Sequence, residues 1–403
     1  MPVFLISQSH FQYKEKLITF RYYKNLKARK GEKVMRKLYK EDVVEILYGA
    51  TLLGAGGGGS LTQGLDMLKN FEDNGGVVEL TMLEPDEMAD GVYAAMVAGL
   101  GSPVAMLDSS LPPFGPDGVY AFKAFQKAYK AEGKEVKYLM SGEMGGFNTF
   151  APMLVALNSD EDPEKRIQFI DADLNGRAVP ELNTTLTTYY NHPTTPLGLG
   201  SWNGNEIVVY PVSDHDGELI ARQLCMMYNM RIGFSTWGVN KNDIKNDLVP
   251  GCVTKAQDIG KAIFAAKNDG TDIMDELKKV AEFREFCRGT IASLEVKAEG
   301  GFDFGTTVIE GDDGHTYYID FKNENLILRD ENKEVKMTAP DGIGLINLDT
   351  MTPMTNADTK EGMRLLVTMT PAHPNWWDED HKAYTCWQPE LERVGYSGNP
   401  VRY

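Results

Sequence analysis

The alternation of strand and helix patterns between residues 40 and 182 most constrains the fold of this chain. Apolar runs of strand length occur at 77–83, 92–100, 136–140 and 167–171, and helical patterns occur at 40–53, 61–70, 120–131 and 149–157. Strands that alternate with helices in this way predict an α/β layer with a largely parallel sheet.

The second half of the chain shows a different pattern. Residues 193–204 are rich in Pro, Gly, Thr and Ser, which is typical of a boundary between domains. We therefore place an N-terminal α/β domain at 35–196 and a C-terminal α+β domain at 197–403. Short strand patterns separated by Gly, Asp and Asn turns fill 288–369, so the second domain is predicted to be β-rich towards its end. The last 30 residues are predicted to wrap the surface.

Residues 1–34 differ in charge from the rest of the chain. They hold eight basic and two acidic residues, a net charge of +6, whereas the whole chain carries −17. No apolar core of a signal peptide is visible in them. Gly31-Glu32 can be encoded by a sequence that resembles a ribosome-binding site ahead of Met35. The hypothesis is that translation starts at Met35 and that 1–34 are a non-native or disordered leader.

Charge and cysteine usage exclude several classes of protein. A net charge of −17 argues against binding of nucleic acid or of an anionic membrane. No apolar run reaches the roughly 20 residues of a membrane span. Cys225, Cys252, Cys287 and Cys386 have no zinc-finger spacing, so they are predicted to be reduced and mostly buried in a cytoplasmic protein, although one could be a nucleophile.

The stretch at 170–182 is the first candidate site. Asp171 and Asp173 stand at the end of an apolar run, and Arg177 follows after a glycine. Pro180-Glu181 is predicted to begin a helix, because proline is tolerated at the first helical position. A strand-to-helix turn is the usual place for a site in an α/β sheet. The alternative is a solvated turn in which Asp173 is a capping residue.

Glu143 follows another strand pattern and opens the next helix. If the two strands are neighbours, Glu143 lies beside Asp171 and Asp173 at the carboxyl edge of the sheet. Three carboxylates there repel one another unless one is protonated or a cation lies between them. Arg177 would neutralise the cluster or bind an acidic group of a substrate. Independent acidic turns are the alternative.

A glycine run, Gly54-Ala55-Gly56-Gly57-Gly58-Gly59, separates two helical patterns. It contains GxGxxG, but a helix precedes it rather than the strand that a dinucleotide site requires, and no Gly-Lys-Ser/Thr follows, so no nucleotide is expected. Exposed N–H groups of such a loop can bind a carboxylate, phosphate or carbonyl. The alternative is close packing of helices.

Two histidines are candidate metal ligands. His215 lies in Ser213-Asp214-His215-Asp216, and His192 lies in Asn191-His192-Pro193. Imidazole with carboxylates suits zinc or a similar divalent ion. For His215 the alternative is an exposed residue in the capping turn of a helix.

Taken together, these motifs resemble a known family, the S-methyl-thiohydantoin desulfurase-like proteins, often found alongside hydantoinase and oxoprolinase subunits. The resemblance covers residues 40–377. It rests on the glycine run, Glu143-Met144-Gly145-Gly146 with Asn148, Asp171-Ala172-Asp173 with Gly176-Arg177 and Pro180-Glu181, Ala339-Pro340-Asp341-Gly342-Ile343, and 371–376. One departure is Leu174-Asn175, where a different small or sulfur-containing pair is expected.

The resemblance implies hydrolysis of a cyclic thioimidate or hydantoin-like ring, with help from a divalent metal, zinc first. Asp171 and Asp173 would then hold the metal or the attacking water together with Glu143. Arg177 would bind an acidic substituent, and Glu181 would support the residues that do so. Gly56, Gly57, Gly58, Gly59 and Asn148 would contact the substrate. His192 and His215, proposed above from their residue type and neighbours, are the further candidate ligands for such a metal.

Two rival functions remain open. The chain could be a non-catalytic subunit of a hydantoinase- or oxoprolinase-type complex, with the same glycine loop but no metal. It could instead be a nucleotide- or sugar-binding α/β protein. As partners of the protein we expect a small-molecule substrate and further copies of the same chain in a homo-oligomer, with a hydantoinase-type subunit as a further candidate.

Overall fold

The computed structural model describes residues 35–101 and 111–403. The predicted leader, 1–34, lies outside the described residues, and its existence in the native protein stays a prediction. None of the described helices is both long enough and apolar enough to cross a membrane.

Nine strands of the described residues form the first sheet. They are β1 (Arg36–Tyr39), β2 (Glu79–Leu83), β3 (Val92–Gly101), β4 (Glu135–Ser141), β5 (Gln168–Asp173), β6 (Leu197–Gly200), β7 (Glu206–Val209), β8 (Arg231–Val239) and β9 (Val249–Pro250). Their order is β1-β2-β5-β4-β3-β8-β6-β7, and β9 pairs with β5. The neighbours β2, β5, β4 and β3 are parallel, which confirms the predicted α/β domain, while β8, β6 and β7 extend the sheet in antiparallel fashion.

The helices pack mainly around this sheet. They are α1 (Lys40–Leu53), α2 (Leu61–Asp73), α3 (Pro116–Ala131), α4 (Phe150–Leu157), α5 (Leu186–Tyr189), α6 (Asp214–Met227), α7 (Lys241–Asp247), α8 (Cys252–Asp269), α9 (Ile273–Val280) and α10 (Gln388–Arg393). Ser60 caps α2 by accepting a hydrogen bond from the Gln63 N–H, and the Gln63 side chain accepts one from the Ser60 N–H.

The second sheet is antiparallel throughout. It consists of β10 (Arg284–Glu299), β11 (Phe302–Gly311), β12 (Thr316–Lys322), β13 (Glu324–Arg329), β14 (Val335–Thr338), β15 (Gly342–Asn347), β16 (Thr352–Met354) and β17 (Arg364–Thr370). It encloses its own apolar cluster around Ile309, Ile319 and Leu345. This confirms the β-rich end of the second domain. The first sheet nevertheless takes strands from both sides of the predicted boundary at 196/197.

Two local predictions are wrong. Pro180-Glu181 does not begin a helix: the chain forms turns there, because the Glu181 N–H donates to the Thr184 hydroxyl, and α5 starts only at Leu186. The last 30 residues do not merely wrap the surface, since Trp376 and Trp387 are both 0 % exposed. The Trp376 indole N–H donates to the Asn175 carbonyl at 2.8 Å, so the tail is anchored in the core at these tryptophans although most of its residues stay partly or fully exposed.

Close backbone contacts at two glycines, Gly49 in α1 and Gly260 in α8, fix the two helices against each other. A Cβ at Gly260 would lie 1.9 Å from the Glu45 carbonyl oxygen, and a Cβ at Gly49 would lie 1.8 Å from that of Ala256. The two helix backbones therefore touch, and the Gln257 amide adds hydrogen bonds to Asp42 and Glu45. This contact holds α1 in place, and with it the glycine run that follows.

We expect Gly260→Ala to destabilise the fold by about 1–3 kcal/mol, because the added methyl group forces the two helices apart. Urea unfolding followed by circular dichroism measures the change. Lys261→Ala is the control, since this side chain is half exposed and surface changes usually stay within about 0.5 kcal/mol. Equal midpoints for Gly260→Ala and wild type would show that the helices do not touch as described.

Candidate active site

Glu143 and Asp173 lie at the same edge of the first sheet. β4 and β5 are adjacent and parallel, and Ser141 at the end of β4 is aligned with Asp173 at the end of β5. Glu143 follows two residues after Ser141. The two strands are therefore neighbours, which is the condition under which the sequence analysis placed Glu143 beside Asp173.

The glycine run reaches this edge and is held there through its carbonyl oxygens. The Asn325 N–H donates to the Ala55 carbonyl at 2.8 Å, and the Asn356 N–H donates to the Gly56 carbonyl at 2.9 Å. The Asn148 N–H donates to the Gly58 carbonyl at 3.0 Å, and the Gly146 N–H donates to the Gly59 carbonyl at 2.9 Å. The first two donors belong to the region of the second sheet and the last two to the β4–α4 connection. The loop therefore lies between the two halves of the chain.

Glycine is required in this loop because side chains and backbone approach it closely. A Cβ at Gly57 would lie 2.1 Å from Oε1 of Glu324, and one at Gly58 would lie 2.1 Å from the Met144 carbonyl oxygen. Gly58 also has φ +72°, a conformation that favours glycine. No described residue accepts a hydrogen bond from the N–H groups of Gly56, Gly58 and Gly59. Close packing and free donors thus occur in the same loop.

Glu143 is fixed by two hydrogen bonds. Its Oε1 accepts from the Asn148 amide at 2.6 Å, and its Oε2 accepts from the Val179 N–H at 2.8 Å. Burial of the carboxyl group, followed by the nearby charges of Glu324 and Asp173, raises the pKa of Glu143 to about 8. The carboxyl group is therefore largely protonated at neutral pH.

Glu324 is the site residue that sequence reasoning missed. It opens β13, is 4 % exposed, and has its pKa raised to about 7 by burial, although the Arg177 guanidinium opposes the shift. It lies more than 150 residues after Asp173 in the sequence and belongs to a short polar run, 322–325, that spans the turn from β12 to β13. That polar run is the only signal the sequence offers.

Asp173 and Asp171 have different environments. Oδ1 of Asp173 accepts from the N–H groups of Asn175 and Gly176, at 2.8 and 2.5 Å. Asp173 thus stabilises a turn, but the turn is not the solvated one of the alternative prediction, since Asp173 is 0 % exposed and the next helix begins only at Leu186. Burial raises the pKa of Asp173 to about 7. Asp171 instead accepts hydrogen bonds from the N–H and hydroxyl groups of Thr254 at the start of α8. We call Glu143, Asp173 and Glu324 the carboxyl cluster.

Buried acceptor atoms without a donor are concentrated around this loop. Oε2 of Glu324 and Oδ1 of both Asn325 and Asn356 accept no hydrogen bond from any described residue. The amide orientations of the two asparagines are set, because their Nδ2 atoms donate to the carbonyls of Ile343 and Asn323. A buried acceptor without a partner is costly, so these atoms point to a ligand or solvent that supplies donors.

Arg177 is buried at 2 % exposure and donates to backbone carbonyls. Its donors reach the oxygens of Ala178, Pro340 and Asp341 at 3.0 Å each and of Asn325 at 3.2 Å. Its guanidinium also stacks over the Trp387 ring. Of the two roles predicted for Arg177, this arrangement favours neutralising the carboxyl cluster over clamping an acidic substrate group.

Glu181 belongs to a separate ion-pair network. It contacts Lys322 at 2.5 Å and Arg393 at 3.1 Å, and Lys322 also contacts Glu390 at 2.7 Å. Although burial opposes ionisation, these ion pairs lower the pKa of Glu181. Glu181 thus joins the 180–185 turn to β12 and α10.

The predicted metal ligands are not brought together. His215 is exposed in the first turn of α6. Among the described residues, the one group of three ligand-type side chains with mutually close donor atoms is His192, Asp243 and Asp247, without Asp171, Asp173 or His215.

The four cysteines are free thiols and are buried, as predicted. Burial raises the pKa of Cys225 to about 11 and that of Cys287 to about 12, and it also raises the pKa values of Cys252 and Cys386. Thiols with raised pKa values are poor nucleophiles, which disfavours a cysteine mechanism.

Comparison with family models decides the classification. The S-Me-THD-like N-terminal domain matches residues 41–211, and the S-Me-THD-like C-terminal domain matches residues 212–391. The chain belongs to the S-Me-THD-like family. This confirms the family that the sequence motifs indicated. The boundary between the two matched domains, at residues 211 and 212, falls just after β7. The carboxyl cluster takes residues from both domains.

Solved structures agree on the fold. A crystal structure of a protein from Chromobacterium violaceum, a structural genomics target, superposes with a TM-score of 0.74 and 22 % sequence identity. The match covers 91 % of this chain and 99 % of that chain. A search of curated proteins found no match.

The raised pKa values predict how stability depends on pH. Because the folded protein holds protons on Glu143, Asp173 and Glu324 that the unfolded chain releases above about pH 4.5, the free energy of unfolding should fall as pH rises towards 8. Glu143→Gln should flatten this dependence when the melting temperature is measured across that range. Glu135→Gln, an exposed change at the other end of β4, is the control. A slope that Glu143→Gln leaves unchanged would contradict the assigned protonation.

Proposed function

We propose that the protein hydrolyses a cyclic amide or thioimidate ring, of the thiohydantoin or hydantoin type, at the carboxyl cluster. The observation that carries the proposal is the pairing of free donors with free acceptors at one loop. Among the described residues, the N–H groups of Gly56, Gly58 and Gly59 have no acceptor. Oε2 of Glu324 and Oδ1 of both Asn325 and Asn356 have no donor there, and these three side chains are the ones that approach Gly56 and Gly57.

A ring amide presents the complementary groups. Its carbonyl oxygen accepts hydrogen bonds and its N–H donates them, so the glycine N–H groups suit the carbonyl and the asparagine oxygens suit the ring N–H. Donors aimed at the oxygen also stabilise the negative charge that develops there during hydrolysis. The family name supports a thiohydantoin-related substrate.

The carboxyl cluster supplies an acid and a base near neutral pH. Glu143, with a pKa of about 8, donates a proton to the departing ring nitrogen or sulfur. Glu324 or Asp173, with pKa values of about 7, takes a proton from the water that attacks the sp² carbon. Groups with pKa values close to the working pH are the most efficient general acids and bases.

Glu143, Asn148 and Gly59 are partly exposed, whereas Gly56 to Gly58 are buried. In the proposed reaction the substrate therefore reaches the carboxyl cluster from the side of these three partly exposed residues. Two surface cavities of about 400 and 210 Å³ lie elsewhere, since no residue of the carboxyl cluster lines them. Enclosure of the reacting groups strengthens their electrostatic effect on the ring.

A divalent metal, which the resemblance implies, does not fit the carboxyl cluster. The carboxylate of Asp171 already accepts hydrogen bonds from the N–H and hydroxyl groups of Thr254. Among the described residues, the ligand atoms of Asp171, Asp173 and His215 do not lie close enough together to bind one ion. The proposed reaction therefore has no step through a metal, and its acid and base are carboxyl groups.

We expect kcat/KM for S-methyl-thiohydantoins or hydantoins to be bell-shaped in pH, rising near 7 and falling near 8. Glu143→Gln should lower kcat/KM by about 10²-fold or more and remove the alkaline limb, because glutamine cannot supply the proton. Glu135→Gln should leave the rate unchanged.

Asp173→Asn and Glu324→Gln identify the base. Asp173→Asn keeps an oxygen that accepts from Asn175 and Gly176, so the turn survives while the charge is lost. Whichever substitution removes the acidic limb marks the base, and rates within about tenfold of wild type for both would overturn the assignment. Absence of turnover by the wild-type chain on every such ring, with copurification of a larger subunit, would favour the rival partner-subunit function.

A further inference from the structure

His192 lies against α7 at a position that the proposed hydrolysis does not use. Its Nε2 is 2.8 Å from Oδ2 of Asp247, the last residue of α7. Asp243 lies four residues earlier, one helical turn away on the same face. One ligand atom from each of the three residues lies within 4.8 Å of the other two.

The charges at this position are not balanced by the protein. Two carboxylates at i and i+4 repel each other, and Asp247 also lies at the negative end of the helix dipole. The lysines of α7 are engaged elsewhere, Lys241 with Asp90 and Lys245 with Asp86. Among the described residues, no Lys or Arg forms an ion pair with Asp243 or Asp247. A bound cation would balance both charges.

Free ligand atoms face a partly exposed position. Oδ1 of Asp243 and Oδ1 of Asp247 accept no hydrogen bond from the described residues, and all three side chains keep partial exposure, so water can complete a coordination shell. The supporting contacts are rigid: Oδ2 of Asp243 accepts from the Asn240 N–H at 2.8 Å. The Asn375 amide donates to the carbonyls of Asn246 and Leu248 on either side of Asp247. Such contacts hold ligands in place before a metal arrives.

We propose that His192, Asp243 and Asp247 bind one divalent transition-metal ion. One imidazole nitrogen with two carboxylate oxygens and water suits zinc, cobalt or manganese better than calcium, which takes oxygen ligands alone. The metal site goes beyond the proposed hydrolysis, because none of its ligands belongs to the carboxyl cluster.

A structural role follows from the chain after Asp247. Val249 in β9 pairs with Asp173 in β5, and the Val249 side chain lies 3.3 Å from where a Gly176 Cβ would be. A metal that fixes the end of α7 and the 192 turn would therefore brace β9 against the Asp173 turn. Binding to the folded state alone raises the melting temperature through mass action.

The test uses the full chain, first treated with a chelator and then titrated with Co²⁺, with visible absorption and calorimetry as readouts. Wild type should bind about one equivalent and gain melting temperature, as expected for a ligand that binds only the folded state. His192→Gln and Asp247→Asn should each weaken binding at least about tenfold, in line with the cost of disturbing metal sites.

Two further variants keep the inference testable. Asp243→Asn removes one ligand but leaves the His192–Asp247 pair intact, so loss of binding there does not come from loss of the pair. His381→Gln is the control, because His381 pairs with Asp378 at 2.9 Å and belongs to no group of three ligands among the described residues. Equal Co²⁺ affinity in wild type, His192→Gln and Asp247→Asn, or no binding by wild type, would overturn the inference. Hydrolysis is assayed separately, so either proposal can fail alone.

Discussion

The site depends on the approach of the Glu324 carboxylate to the backbone of Gly57. Oε1 lies 2.1 Å from where a Cβ would be, so every residue except glycine would displace the Glu324 side chain from its position beside the loop. The same docking places Asn325 and Asn356 against Gly56 and completes the hydrogen bonds to the loop carbonyls. A single packing constraint thus joins the two domains and assembles the carboxyl cluster.

Bringing three acids together has an electrostatic cost, and the protein meets it in two ways. Burial raises the pKa values of Glu143, Asp173 and Glu324, so protonation removes part of the repulsion. Arg177 supplies a buried positive charge, but its N–H groups are spent on the carbonyls of Pro340, Asp341 and Asn325. Arg177 consequently stabilises the ionised form of Glu324 without blocking the glycine loop.

The sequence predicted those parts of the site that follow from local rules. Glu143 and Asp173 could be placed together because the carboxyl ends of adjacent parallel strands share an edge, and the glycine loop could be recognised from its composition. Glu324 could not, since its position depends on the docking of the second domain rather than on a local pattern. Pro180-Glu181 fitted a helix start, but hydrogen bonds to Thr184 and ion pairs of Glu181 with distant residues favour a turn. Trp376 and Trp387 were assigned to the surface because composition alone does not reveal a buried partner such as Arg177.

The most direct test of this account is a crystal structure of the protein with a bound hydantoin. The account predicts that the ring carbonyl accepts hydrogen bonds from the N–H groups of Gly58 and Gly59, with the ring N–H directed to Asn325 or Asn356. A ring bound away from the glycine loop, for example in the groove between Val296 and Arg393, would contradict it.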